Sequence, residues 1–207
     1  MPYRIVPNET KTSRIIHVAT ETTTRRCFDV ASGFRVAVDA RAIEGPGELL
    51  SEPIVARLVA HRMIDEEIAA ALELDDLAPY CRFFETVGED AASVARSLAC
   101  QAKEVRETLG FVADGMAWPR AIMLISEVWV ADAFRGKGLS RLLVRELHDV
   151  LFGVDTLVFA RAAPRGKAAP NGLTAHWVNL GAGIRVIATD RADPLLVALW
   201  AGDHLWD

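Results

Sequence analysis

Cysteine is scarce. Cys27, Cys81 and Cys100 are the three in 207 residues, far apart and with no CxxC pair. That pattern suits neither a secreted disulfide framework nor a structural zinc site, so free thiols in a reducing compartment are expected. No apolar run reaches the ~18 residues that a membrane span needs. The opening MPYRIVPNETKTSR has charges and no apolar stretch of the signal-peptide kind. These absences point to a cytoplasmic protein without membrane contact. Positive charge is not in excess either: Lys+Arg 23 against Asp+Glu 28 leaves −5, which argues against a globally basic nucleic-acid binder. His17, His61, His148 and His204 show no ligand spacing, so no metal is expected.

What is present is apolar material. Hydrophobic residues make up 51% and charged residues 25%, the composition of a globular chain with one sizeable core. There are no internal repeats or long linkers, and one α/β domain over 1–207 accounts for the length. Residues 14–20 read as a strand followed by a polar, Thr-rich stretch, and residues 34–40 alternate apolar and polar side chains with a strand's period. After a Gly/Pro break at 44–47, Ile54–Ile64 puts Arg57, Val59 and His61 on one face and Ala56, Leu58 and Ala60 on the other. It is expected to form an antiparallel hairpin with 34–40.

Residues 65–109 turn helical. Asp75 or Asp76 is placed to cap a helix through Val87, and Asp90 a longer one whose Val94, Leu98, Val105 and Leu109 form a stripe ending at Gly110. Residues 121–130, AIMLISEVWV, are a near-continuous apolar run, the mark of a strand covered on both faces. Leu139, Leu143 and Leu147 repeat at helical spacing. Residues 156–160 are another buried strand, 172–180 a short helix, and 184–188 and 195–199 the closing strands.

The informative stretch is 128–143, where a buried strand, a turn and a glycine loop open directly into an amphipathic helix. Gly136 and Gly138 allow close backbone approach to a ligand. The first N–H groups of the following helix lack intrahelical partners and point outward with the positive dipole end, an anion nest suited to a pyrophosphate. Arg135, Lys137 and Arg141 add positive charge. A Walker A loop fails, because Lys137 precedes Gly138 and Lys167 precedes Ala168 where Ser or Thr is required. The GxGxxG dinucleotide fingerprint fails as well, with Arg141 in place of its third glycine.

Arg135-Gly136-Lys137-Gly138-Leu139-Ser140 resembles motif A of the GCN5-related N-acetyltransferases, Arg/Gln-x-x-Gly-x-Gly/Ala, with Ser140 replacing the last small residue. The strand, helix, strand and terminal helix around it occur in the family's order over about 120–190, while 1–110, a hairpin plus a helical insert, carries no family motif. The resemblance implies a mixed, twisted sheet of six to seven strands, flanked by helices and splayed between its fourth and fifth strands. It implies acetyl-CoA, or another short acyl-CoA, lying in that wedge. Pyrophosphate contacts then fall on Arg135, Gly136, Lys137, Gly138, Leu139, Ser140 and Arg141, and pantetheine contacts at the strand end on Val128, Trp129 and Val130. Asn171 stands near a CoA-contacting asparagine of the family. The activity implied is acetyl transfer to a primary amine of a small molecule or protein, with a homodimer left open.

The catalytic groups depart from the family. Its usual acid, a tyrosine four residues before the glycine of the last helix, is Trp177 here, and an indole cannot act so. The base positions fall at Leu124 and Ser126. Glu127 is the strand's own carboxylate, which strict alternation turns to the opposite face. A β-bulge would re-aim it. Two readings stay open: Glu127 as base, or Ser126 positioning a water, the simpler geometry. His176 reads as an ordinary polar contact, and residues 65–76 as a solvated acidic helix face. The rival reading is a weak or inactive acyl-CoA-binding or sensor protein.

Overall fold

A computed structural model describes residues 3–5, 16–26, 33–43, 53–110, 119–150, 154–161, 173–180, 183–187 and 194–200. The Gly/Pro break at 44–47, Cys27, Asn171, Gly181 and His204 lie outside the described residues.

The chain opens as an antiparallel meander: β1 (Tyr3–Ile5), β2 (Ile16–Arg26), β3 (Gly33–Ile43) and β4 (Ile54–Ile64). The expected hairpin is β3–β4, and it is longer than its alternating segment. The Thr-rich stretch expected to leave the strand instead belongs to β2, because β-branched threonines suit a pleated backbone. Four helices follow: α1 (Ile68–Glu73), α2 (Ala78–Glu85), α3 (Glu89–Cys100) and α4 (Ala102–Leu109). Then come β5 (Ala121–Val130), α5 (Leu139–Val150), β6 (Thr156–Arg161), α6 (Leu173–Val178), β7 (Arg185–Ile187) and β8 (Leu195–Trp200). The long helix expected from Asp90 to Leu109 is two helices. Gln101, at φ −120° and ψ 20°, re-aims the chain so that Ala102 and Val105 reach the same core as Val94 and Leu98. Asp90 lies in the first turn of α3 behind Gly88, not at its cap.

Among the described residues the strands form one eight-stranded sheet in the order β1-β2-β3-β4-β5-β6-β8-β7, the expected set plus the short β1. β5 and β6 are its parallel pair, joined by α5. From Ala56 onward the alternation in β4 holds: Ala56, Leu58 and Ala60 bury on one face, Met63 on the other.

Each face has its own core. On one, Leu139, Leu143 and Leu147 of α5 and Trp177 of α6 lie on Val38, Ala40, Leu58 and Met123. On the other, Leu72, Phe84, Leu98 and Val105 of the helical insert lie on Ile122, Leu124 and Phe159. The first half of β5 is thus buried on both sides, which is why its sequence is apolar without alternation.

The sheet comes apart at one place. β5 and β6 pair from Ala121↔Thr156 to Ile125↔Ala160 and no further. β5 continues to Val130 paired with β4 alone, while Arg161 stays with Leu195 of β8. This is the splay expected between the fourth and fifth strands, shifted by one in number because β1 precedes them.

Candidate active site

A cleft of about 1030 Å³ fills this gap and reaches both faces of the sheet. Its walls come from the second half of β5, the loop into α5, the first turn of α5, the end of β6, α6, and the first turns of α3.

The loop is built by local bonds. Phe134 N–H donates to the Ala131 carbonyl at 2.8 Å and Arg135 N–H to that of Asp132 at 3.2 Å, closing one 3-10 turn. The chain then passes through Gly136 at φ +74° and Gly138 at φ +79°, where a side chain meets backbone strain. A Cβ at either position points into open space, with no atom within 4 Å. The first bond of α5 runs from Leu142 N–H to the Gly138 carbonyl at 3.1 Å, so the N–H groups of residues 139–141 have no acceptor within the helix. Leu139 is buried and fixes the helix start on the core.

Most sequence-identified residues meet here. Ser126, Glu127, Val128, Trp129, Val130, Arg135, Gly136, Gly138, Leu139, Ser140 and Arg141 all line the cleft. Lys137 belongs to the loop, but its ammonium lies 5.0 Å over the Phe134 ring. Arg135 pairs with Asp132 at 2.8 Å, an exposed bridge within the same turn. The sequence did not place Asp90, Ala91 and Val94 of α3, Phe134, Arg161 or Asn179 at the site, yet they also border the cleft. Arg161 had a signal: it is the charge that ends the apolar strand 156–160. Its Nη2 donates to Ser93 Oγ at 3.1 Å, tying β6 to α3. The α3 residues had none, because helix 89–100 lies far from the motif in sequence.

Strict alternation does not hold in β5. Glu127 lies opposite Val59 and Ile125 opposite Ala60, leaving Ser126 as the extra residue of a β-bulge. The side-chain parity flips there. Val128 and Val130 pack against the core that holds Met123 and Ile125, and Leu124 goes to the other core. Of the two geometries left open for Glu127, strict alternation gives way to the bulge, and bulged Ser126 and Glu127 both border the cleft.

Ser126 Oγ is 3.2 Å from the Val59 carbonyl and 3.3 Å from His61 Nδ1. Burial pushes His61 down to about 4, with Arg35 nearby adding in the same direction, so its imidazole is neutral near pH 7. Opposite Trp129, Arg57 makes a two-pronged bridge to Asp39 at 2.7 and 2.8 Å. Its hydrogen bond to Asp39 raises the guanidinium's pKa despite burial, and the charge of Glu127 contributes.

Across the cleft, Ser140 Oγ and His176 Nε2 are 2.9 Å apart and link α5 to α6. His176, read as an ordinary polar contact, makes one with Ser140 and borders the cleft. Trp177 turns inward, 7% exposed, and fills the core beside Leu180. Among the described residues no three His, Cys, Asp or Glu side chains converge as metal ligands, and no helix is long and apolar enough to cross a membrane.

No family model and no curated protein matches the chain. Among solved structures it is similar to NAA60 of Arabidopsis thaliana in complex with a bisubstrate analogue. That likeness has a TM-score of 0.42 and 11% identity, over 80% of this chain and 76% of that one. NAA60 in complex with acetyl-CoA gives 0.42 and 10%, over 80% and 75%. The Drosophila melanogaster polyamine N-acetyltransferase gives 0.41 and 16%, over 79% and 73%. With TM-scores below 0.5, these likenesses add nothing to what the site's own geometry supports.

Proposed function

We propose that this chain is an N-acetyltransferase that moves an acetyl group from acetyl-CoA directly to a primary amine. One observation carries the reading. The gap between β5 and β6 joins an anion-binding loop at the start of α5 to the bulged Ser126 and Glu127 in a single cleft.

The residues present fit the thioester substrate. Open space at Gly136 and Gly138 lets a pyrophosphate lie against the backbone, where the N–H groups of 136–141 would hold it, that of Arg135 being bonded to the Asp132 carbonyl, and the Arg135 and Arg141 side chains would add charge. Lys137 would contribute its backbone N–H while its side chain rests on Phe134. Beyond Ile125, the edge of β5 towards the gap has lost β6 as partner. The backbone at Val128 and Val130, with Trp129 between them, would pair with the pantetheine arm there. Asn171 is kept as a further proposed contact from the family pattern. Acetyl-CoA supplies a thioester carbonyl open to attack by an amine.

On this reading the protein's own contribution is orientation and proton handling. Ser126 accepts a hydrogen bond from the attacking amine or from a water beside it. Glu127, next in the bulge, takes up the amine proton. Trp177 leaves the departing thiolate without the acid usual in the family, so water supplies that proton. The missing tyrosine is also what favours the second reading, an acyl-CoA-binding protein without turnover.

One assay separates the two. Thiol release from acetyl-CoA is followed with a panel of primary amines, from small diamines to peptides with a free N-terminus. Release above the no-acceptor background is expected for at least one amine. Binding of acetyl-CoA by calorimetry with no release for any amine would favour the binding protein.

A further inference from the structure

We infer that His61, a residue of β4 behind the site, is a positioning residue that fixes the hydroxyl of Ser126. The inference rests on the acetyltransferase reading above and extends it to a group that does not border the cleft. The bulge aims Ser126 Oγ at two atoms of β4, the Val59 carbonyl at 3.2 Å and His61 Nδ1 at 3.3 Å. A hydroxyl has one hydrogen. If it donates to Val59, a neutral His61 carrying its proton on Nδ1 donates back to Oγ. If it donates to Nδ1, the proton of His61 is on Nε2. In both arrangements the serine's hydrogen is engaged on the β4 side, and Ser126 presents an acceptor lone pair to the cleft.

That selects how an amine sits. An acceptor-only group takes an amine N–H and leaves the nitrogen lone pair free to point elsewhere, towards the carbonyl under attack. A freely rotating hydroxyl would also offer its hydrogen to the amine lone pair, the wrong orientation for reaction. His61 is built for this task by its surroundings. It is 8% exposed, faces Arg35 of β3 across the ladder and lies opposite Leu124 on β5. Burial and the Arg35 charge keep the ring neutral, so it can serve in either tautomer.

The test measures transfer to the best amine of the panel for the native protein, His61→Leu, His61→Asn, Ser126→Ala and the His61→Leu/Ser126→Ala double variant. His61→Leu should lower kcat/KM for the amine about tenfold with acetyl-CoA affinity unchanged. The amide of His61→Asn keeps a hydrogen-bonding atom near the place of Nδ1 and should restore activity to within about threefold. In the Ser126→Ala background, His61→Leu should add no further loss, because its effect passes through the serine. Full activity in His61→Leu, or losses that add in the double variant, would overturn the inference. Nitrogen NMR of the histidine rings reads the same hydrogen bond without turnover. The Nδ1 resonance of His61 should shift in Ser126→Ala, and an unmoved resonance would overturn the inference on its own. Acetyl-CoA binding without transfer to any amine would sink the acetyltransferase reading, and with it the role given to His61. The NMR shift would then show that the hydrogen bond exists and that the reaction was misassigned.

Discussion

The two faces of the sheet are built from different material. Under α5 the sheet offers small side chains, Ala40, Ala42, Ala56, Ala60, Ala160 and Ala198, so a leucine-lined helix settles close to the backbone. Under the helical insert the core is aromatic, with Phe84 meeting Phe83 and Phe159 edge-on at 4.9 and 5.1 Å. The first face presents backbone N–H groups at a glycine loop. The second presents side chains: Ser126, Glu127, Asp90 and Arg161. Labour is divided between the two faces. A loop of fixed backbone geometry suits a common phosphate-bearing partner, whereas side chains drawn from remote segments suit a partner particular to this chain.

The largest effect is expected on the side-chain half. Glu127→Gln keeps shape and removes the basic site, so kcat at neutral pH should fall by ~10²-fold with acetyl-CoA affinity unchanged. Ser126→Ala should also reduce kcat. Steady-state kinetics of both variants across pH ranks the two residues: if Glu127→Gln alone loses the acidic limb of the profile, the carboxylate is the base. If Glu127→Gln turns over normally, the proton path runs through Ser126 and water instead.

The next effect falls on the backbone half. Gly138→Asp adds a side chain at φ +79° and a negative charge in the space left for a phosphate, and should weaken acetyl-CoA at least tenfold, ~1.4 kcal/mol. Titration calorimetry giving equal affinities would remove the loop from the site.

Of these two halves the sequence reveals one. Strand, loop, helix and strand from 121 to 161 are consecutive, so the contacts that shape the glycine loop are local, and Gly136, Gly138 and the leucines of α5 mark it directly. The bulge at Ser126 leaves no local mark. It exists because β4 pairs with β5 out of step between Val59 and Ala60, a tertiary event that reverses the alternation read from AIMLISEVWV. The break at Gln101 was hidden for the same reason, since packing of Ala102 and Val105 on the common core sets it, whereas the strand character of the Thr-rich 21–24 was carried by β-branched threonines that polarity alone made look like a loop. His61 was legible as a strand residue sharing a face with Arg57 and Val59, but its neighbour Ser126 becomes visible only once the register is known.

A smaller effect tests how dry the second face is. Burial lowers the pKa of His61 to about 4, and that of His148, on the opposite face, falls as well. As pH drops below the ordinary histidine value of ~6.5, the unfolded chain takes up protons that the native state refuses, so stability is lost with falling pH. His61 contributes a slope that approaches ~1.4 kcal/mol per pH unit between the ordinary histidine value and about 4, and His148 adds to it in the same direction. Urea unfolding between pH 7 and 5 should show this, and His61→Asn should flatten the slope to the share of His148. A slope unchanged in that variant would mean that water reaches the His61 ring.

The smallest effect is chemical. Burial pushes the Cys81 thiol up to about 12, and its Sγ lies 3.0 Å from the Ala95 carbonyl inside the α2–α3 core. Cys100 is exposed. A maleimide should label Cys100 in the native protein and Cys81 only after unfolding. Native labelling of Cys81, read by mass spectrometry, would show that this core opens.

Amide hydrogen exchange with and without acetyl-CoA tests most directly whether the gap between β5 and β6 is where the thioester binds. Slower exchange is predicted at residues 136–141 and along 128–130, with the β2–β3 hairpin unchanged. Protection confined to the helical insert, or none at the loop, would contradict it.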